Sequence, residues 1–258
     1  MLVDSHCHIH EADFPIGLDE VLNAAKAADV QKMITIGTDE SSSRRAIDLA
    51  VQQDNIWATV GVHPHSASSG CEFLDSIDFT ANPKIVAIGE TGLDYHYDFS
   101  PHKIQQELLR QQLIIAIKVD LPVVFHVREA FDDFWMIFDE MADVAQKQGQ
   151  KLRGVIHSFS DNLDNLQKAL KRGLYIGVNG IATFTKDETQ LGAFRAVPLE
   201  KLLIETDAPY LAPKGKRGQI NQPAYVRDVA KWLAEFYKID FNELVTQTTK
   251  NAHKLFGV

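Results

Sequence analysis

Cysteine is close to absent: Cys7 and Cys71 are the only two in 258 residues. Two thiols build no disulfide framework, and a reducing compartment is the simpler setting. The N-terminus, MLVDSHCHIH, has no basic segment leading into an apolar run, so no secretory leader is expected. Nor does any uninterrupted apolar stretch approach the roughly 18 residues of a membrane span. The expectation is a cytoplasmic protein with no membrane contact. Positive charge is also scarce, with 26 Lys and Arg against 35 Asp and Glu for a net charge of -9. That excludes a broad electrostatic grip on nucleic acid, which depends on many neutralised phosphates. It leaves room for an enzyme that holds one strand end at a metal centre, because bound cations invert the local field.

What is present is ordinary for a globular chain: 45% hydrophobic and 24% charged residues. No low-complexity tract, linker or charge block divides it, so 1–258 reads as a single domain. Short apolar, β-branched runs alternate with helical patterns. The runs predict strands over 2–6, 32–37, 56–62, 85–90, 122–127, 152–157, 174–178 and 202–206. Apolar residues at three- and four-residue spacing predict helices over 18–28, 41–53, 102–119, 130–148, 162–172, 224–237 and 241–256. Alternation of this kind implies parallel pairing through right-handed crossovers. Eight such strands, in a chain of about the usual length, predict an α/β fold of the (β/α)8 TIM barrel class. A doubly wound open sheet is the alternative, and no Gly-x-Gly-x-x-Gly follows any strand to favour it.

The polar residues are placed with a rule. One strand after another ends in a histidine or a carboxylate: His6-Cys7-His8, His63-Pro64-His65, Glu90 with Asp94, His126-Val127-Arg128, His157, and Glu205-Thr206-Asp207. Active sites of such barrels lie at the C-terminal strand ends, with several strands contributing. His6 and His8 are two apart, so on an extended strand they project together and form a chelating pair. Imidazole and carboxylate together suit a range of divalent metals. Glu90 closes a continuous apolar strand, where a carboxylate is costly unless paired or metal-bound. A carboxylate can also bridge two ions, which makes Glu90 the natural shared ligand. Asp207 follows its apolar strand in the same way. Glu205 faces inward by period-two counting, as an outer partner to the ligands. His126 and His157 end successive apolar strands. Cys7 faces the other way and reads as a small buried hydrophobe. Cys71, His96, His102 and His253 read as structural or surface residues.

These runs, taken in order, resemble the TatD-type deoxyribonucleases of the amidohydrolase superfamily. The resemblance rests on Asp4-Ser5-His6-Cys7-His8, Gly61-Val62-His63-Pro64-His65, Gly89-Glu90-Thr91-Gly92-Leu93-Asp94-Tyr95, His126-Val127-Arg128-Glu129-Ala130, His157-Ser158-Phe159-Ser160 and Glu205-Thr206-Asp207-Ala208-Pro209-Tyr210-Leu211. It extends over essentially the whole chain. It implies a metal-dependent DNase on a (β/α)8 barrel, in some members a 3′–5′ exonuclease acting on single strands or damaged ends. It carries ligand roles onto His6, His8, Glu90, His126, His157 and Asp207. His63, His65 and Arg128 then look like substrate-side groups near the phosphate, and Asp94 joins Glu205 as an outer partner. One departure is visible: members of the family usually carry Asn-Glu-Pro where this chain has Asn221-Gln222-Pro223.

The mechanism expected on that basis uses two divalent ions (Mg, Mn or Zn), one held by His6, His8 and Asp207 and one by His126 and His157, with Glu90 bridging. Ions roughly 3.5–4 Å apart clamp the attacking and leaving oxygens of a phosphodiester. Asp207 and Glu90 are the catalytic pair, with Asp207 as general base. Arg128 suits bidentate phosphate contact; a salt bridge to Glu129 or Glu90 is its structural alternative. Lys214, Lys216 and Arg217 gather after the eighth strand, where they would guide a strand end or simply be solvated. DNA is the expected partner, with no obligate protein partner and a monomeric state. A small-molecule amide, ester or lactone hydrolase is the rival enzyme. Glu90, standing where many such relatives place a carbamylated lysine, favours the nuclease. A scaffold with a structural metal is the non-enzymatic rival, but structural zinc sites are closed and often cysteine-rich.

Overall fold

Buried strands and amphipathic helices alternate along residues 1–258, all of which the computed structural model describes. The strands are β1 (Leu2–Cys7), β2 (Val30–Ile36), β3 (Ile56–Val60), β4 (Ile85–Asp94), β5 (Val123–Arg128), β6 (Gly154–Ile156), β7 (Tyr175–Val178) and β8 (Leu202–Ile204). The helices are α1 (Leu18–Ala27), α2 (Glu40–Gln52), α3 (His102–Val119), α4 (Phe131–Lys147), α5 (Leu163–Lys171), α6 (Glu188–Arg195), α7 (Val226–Tyr237) and α8 (Phe241–Phe256). The strand order is sequential from β1 to β8, and pairing is parallel. Cys7 forms a parallel bridge with Ala208, just past β8, so the first and last strands adjoin. The fold is of the (β/α)8 class. No helix is long and apolar enough to cross a membrane.

Two compact units make up the chain: residues 1–35 with 158–258, and residues 36–157. In the first, Leu2, Met33, Ile34, Leu202, Leu203 and Ile204 fill the strand layer, under Val229 and Leu233 of α7 and Leu244 of α8. In the second, Ile56, Ala58, Val60, Ala87, Ile88 and Phe125 do so, and Phe125 meets Phe134 of α4 edge-on at 5.1 Å between ring centroids. Short carboxylate or amide side chains start several helices. Asp39, Asn162, Asp187 and Asp240 accept backbone N–H bonds in the first turns of α2, α5, α6 and α8.

The predicted elements and the observed ones differ in two places that matter. The fourth strand runs on through Glu90 to Asp94, four residues beyond the predicted end. Its pairing with β5 is irregular between Ile88 and Thr91, then resumes with Gly92 opposite His126 and Asp94 opposite Arg128. Gly92 sits at φ +152°, and a Cβ there would run into the His126 carbonyl oxygen, so only glycine lets the two strands continue side by side. The second difference is α6, which the hydrophobic pattern did not predict. It buries only Ala193 and Phe194, too few to make a stripe.

Helix α3 explains how strand ends are held. Leu109, Leu113 and Ala116 lie on its buried stripe, and so do Gln105 and Gln112. Gln112 Oε1 accepts from the Val62 N–H at 2.8 Å, while its Nε2 donates to the Val62 carbonyl and the Thr91 hydroxyl. Gln105 does the same for Asp94, accepting from its N–H and donating to its carbonyl and to that of Ser100. Strand-end groups that the ladder leaves open are satisfied by two buried amides.

Candidate metal centre

In the unit spanning 36–157, four strands deliver one cluster. Glu90 of β4 is buried, and its Oε1 lies 2.8 Å from His157 Nε2, 3.1 Å from His126 Nδ1 and 3.6 Å from His63 Nε2. The donor atoms of His63, Glu90 and His126 all fall within 4.8 Å of one another. Asp94, four residues further along β4, takes His126 Nε2 at 2.9 Å and His65 Nε2 at 3.0 Å on its Oδ2. Its Oδ1 accepts from the His96 N–H. His126 is therefore clamped between two carboxylates, one at each ring nitrogen.

The electrostatics follow from that arrangement. Burial pushes the Glu90 carboxyl up, but His157, His63 and the hydrogen bonds from His126 and His157 outweigh it and hold the group well below the usual carboxylate range. Burial likewise opposes ionisation of Asp94, and the hydrogen bond and charge of His126 override it, lowering its pKa. His63 is driven well below the usual imidazole value by burial and by His126. His126 moves the other way: burial lowers it, and its bonds to Asp94 and Glu90 raise it further. An ionised carboxylate among imidazoles is a ready ligand set for a divalent cation.

The other unit carries a smaller cluster. His6 Nε2 and His8 Nε2 are 3.2 Å apart, and Asp207 Oδ1 is 3.4 Å from the first and 3.3 Å from the second. Metal–ligand bonds of about 2.0–2.1 Å place neighbouring donors roughly 2.9–3.4 Å apart around one ion. These separations fit that spacing, and neutral imidazole with carboxylate fits the chemistry. Asp207 adopts φ +59°, a conformation aspartate tolerates better than most residues. Its N–H donates to the His6 carbonyl at 2.8 Å, tying the two ligand-bearing segments together.

Beneath this triangle lies Asp4. Its carboxylate accepts from the Thr206 N–H at 2.9 Å and the Thr206 hydroxyl at 2.6 Å. Burial raises the Asp4 pKa to about 8, against the opposing Thr206 bonds. Asn221 Nδ2 donates to the carbonyls of Thr206 and Tyr210, bracing the turn around Asp207 from its other side. Glu205, expected as an outer partner, accepts the Ser158 N–H at 2.6 Å.

The structure brings His126, His157, Glu90 and Asp94 together as one set and His6, His8 and Asp207 as another. It places His63 inside the first set and not merely beside it. Arg128 is exposed at the end of β5; its guanidinium lies 5.1 Å from the Tyr97 ring centroid. Glu129, a candidate partner for Arg128, is engaged by His96 at 2.7 Å. Lys216 lies over the Tyr225 ring at 4.9 Å, while Lys214 and Arg217 are exposed. Cys7 is buried, donates to the Ile34 carbonyl, and has its thiol pushed up by burial. Sequence reasoning missed Asp4, Gln105, Gln112 and Asn221. Their only signal was a polar residue on an apolar strand or stripe, or beside a motif that departs from the family pattern.

The TatD related DNase family matches the chain over residues 3–257. A Bacillus subtilis protein named as the uncharacterized metal-dependent hydrolase YabD is 34% identical over 269 residues, covering all of both chains. The 3′-5′ ssDNA/RNA exonuclease TatD of Citrobacter rodentium is 35% identical, over 100% of this chain and 98% of that one. Among solved structures, the TatD homologue YJJV of Escherichia coli superposes with a TM-score of 0.90 at 30% identity, over 100% of this chain and 98% of that one.

Proposed function

Because the chain belongs to the TatD related DNase family and is a metal-dependent hydrolase, we propose that it hydrolyses phosphodiester bonds at the 3′ ends of single-stranded DNA. The observation that carries this reading is the Glu90 carboxylate, buried and within 2.8–3.6 Å of three imidazoles. Such a set suits a divalent metal, whose chemistry at a phosphodiester would be attack by an activated water.

A divalent ion, if held by these ligands, would supply an acidified water and offset the charge of a phosphate. His126, His157 and Glu90, together with His63, would hold one ion, and His6, His8 and Asp207 would hold another. Asp207 accepts the proton of the attacking water on its carboxylate. His65, aligned by Asp94, and Arg128, free of an ion pair with Glu129, meet the phosphate oxygens. Arg is suited to that contact because its planar fork matches two oxygens at once. The family's extent over residues 3–257 supports reading the chain as one catalytic domain.

The test follows end-labelled single-stranded DNA on a sequencing gel, with Mg or Mn, beside a chelated control and the His126→Ala variant. The expected result is a metal-dependent ladder that shortens from the 3′ end and disappears in the variant. Intact DNA under every metal condition, from folded protein, would transfer the site to a small-molecule hydrolase.

A further inference from the structure

Between β4 and α3, the loop over 95–101 carries two aromatic residues that the catalytic reading leaves without a role. Phe99 is 66% exposed and Tyr97 41% exposed. Large exposed rings side by side are informative, because isolated apolar residues on a surface need no explanation but paired ones do. The rings lie 5.3 Å apart between centroids, tilted by 32°. Each ring also has a neighbour. Tyr97 has Arg128 over its ring, and Phe99 lies 4.8 Å from the His65 ring. The loop beneath is anchored at both ends. Asp94 Oδ1 accepts from the N–H groups of His96 and Tyr97, and the Ser100 hydroxyl donates to the His65 carbonyl at 2.9 Å. Tyr95 is held by Asp133 and Gln106 and stacks on His102.

This aromatic pair is continuous with the metal cluster through His65, whose Nε2 bonds the carboxylate that also holds His126. A folded protein partner is a poor occupant. A stable interface takes about 800 Å² from each side, whereas here two rings stand among His96, Asp98 and Arg128, all polar. A nucleobase is a good one: it has a π-face to lay on a ring, and it comes with a phosphate for a cation beside that ring.

We propose that Tyr97 and Phe99, backed by Arg128, form a stacking platform for the bases of a single-stranded nucleic-acid end. The platform rests on the nuclease reading and gives it a substrate class. Selection is for an unpaired, base-bearing strand, and it is tolerant of sequence because every base offers a π-face. Duplex ends, whose bases are already stacked and paired, gain nothing from it until they fray.

The test compares binding of two oligonucleotides, each with phosphorothioate linkages at the 3′ end. One carries 2-aminopurine in its last two positions, and the other carries abasic tetrahydrofuran residues there. The metal-loaded wild-type enzyme is expected to bind the base-bearing strand roughly 5- to 150-fold more tightly than the abasic one. On binding, the 2-aminopurine fluorescence is quenched. Phe99→Ala and Tyr97→Ala each move that ratio towards one, and Phe99→Trp restores it together with the quenching. A matched ribonucleotide strand forms a second arm; loss of the ratio on either strand supports the platform and identifies the backbone. If the alanine variants keep the wild-type ratio while the wild type still binds and shortens DNA, the platform is wrong and the nuclease reading survives. If the wild type neither binds nor shortens any strand, the nuclease reading falls and takes the platform with it.

Discussion

The two donor clusters are supported by different groups. The triangle of His6, His8 and Asp207 draws on the two ends of the chain and rests on a carboxyl, Asp4, which grips Thr206. The set around Glu90 draws on consecutive strands and is backed by neutral amides, Gln105 and Gln112, reaching in from one helix. With its pKa raised to about 8, the Asp4 carboxyl is largely protonated at neutral pH and, like an amide, fixes position without adding a full charge. The first cluster has one carboxylate among its donors and the second has two, Glu90 and Asp94. Negative charge therefore sits among the donors in both clusters, on Asp207 in the first and on Glu90 and Asp94 in the second.

The largest effect tests whether both clusters serve one reaction. Removing an outer partner of a metal ligand commonly costs 10- to 100-fold in affinity or activity, so removing a ligand costs more than roughly 100-fold. Glu90→Gln and Asp207→Asn are each expected to lose more than that in hydrolysis, with fewer bound ions per chain by elemental analysis. Full activity in either variant would confine the chemistry to the other unit.

An intermediate effect tests the two supports against each other. Asp94→Asn removes the charge that aligns His126 and His65, and Asp4→Asn removes one acceptor from Thr206. Each is expected to weaken metal binding or activity by roughly 10- to 100-fold. Metal titrations should show Asp94→Asn acting mainly on one class of site and Asp4→Asn on the other. The same loss on both classes in both variants would mean that the clusters are not separable.

The smallest effect falls on stability. Gln112→Leu leaves the Val62 N–H and carbonyl without their amide partner, a cost of about 1–3 kcal/mol for each buried group left unsatisfied. A lower urea midpoint with metal content unchanged is expected. Loss of metal without loss of stability would assign Gln112 to the site instead of to the scaffold.

Much of this was legible in the sequence because it is local. A strand buried on both faces must be an apolar run, so all eight could be located from the pattern of such runs. A histidine or carboxylate ending such a run has a cost that only pairing or metal repays, so His6, His8, Glu90, His126, His157 and Asp207 stood out. The fourth strand's last four residues did not, because Gly89 and Gly92 look like turn residues and only the close approach of β5 shows why they are needed. Helix α6 was missed for want of an apolar stripe, and Tyr97 and Phe99 because an aromatic in a loop has no period to betray it.

The residue types and their order were thus determined by the sequence: which side chains end strands, and which of them are of metal-ligating type. Which atom meets which was decided only by the tertiary structure. Thr206 reaches Asp4 across 202 positions of chain, and His126 is shared between Glu90 and Asp94 only because β4 runs on beside β5. Pairing of this kind depends on strand neighbours and register, which are set by packing over the whole fold and leave no trace in local spacing.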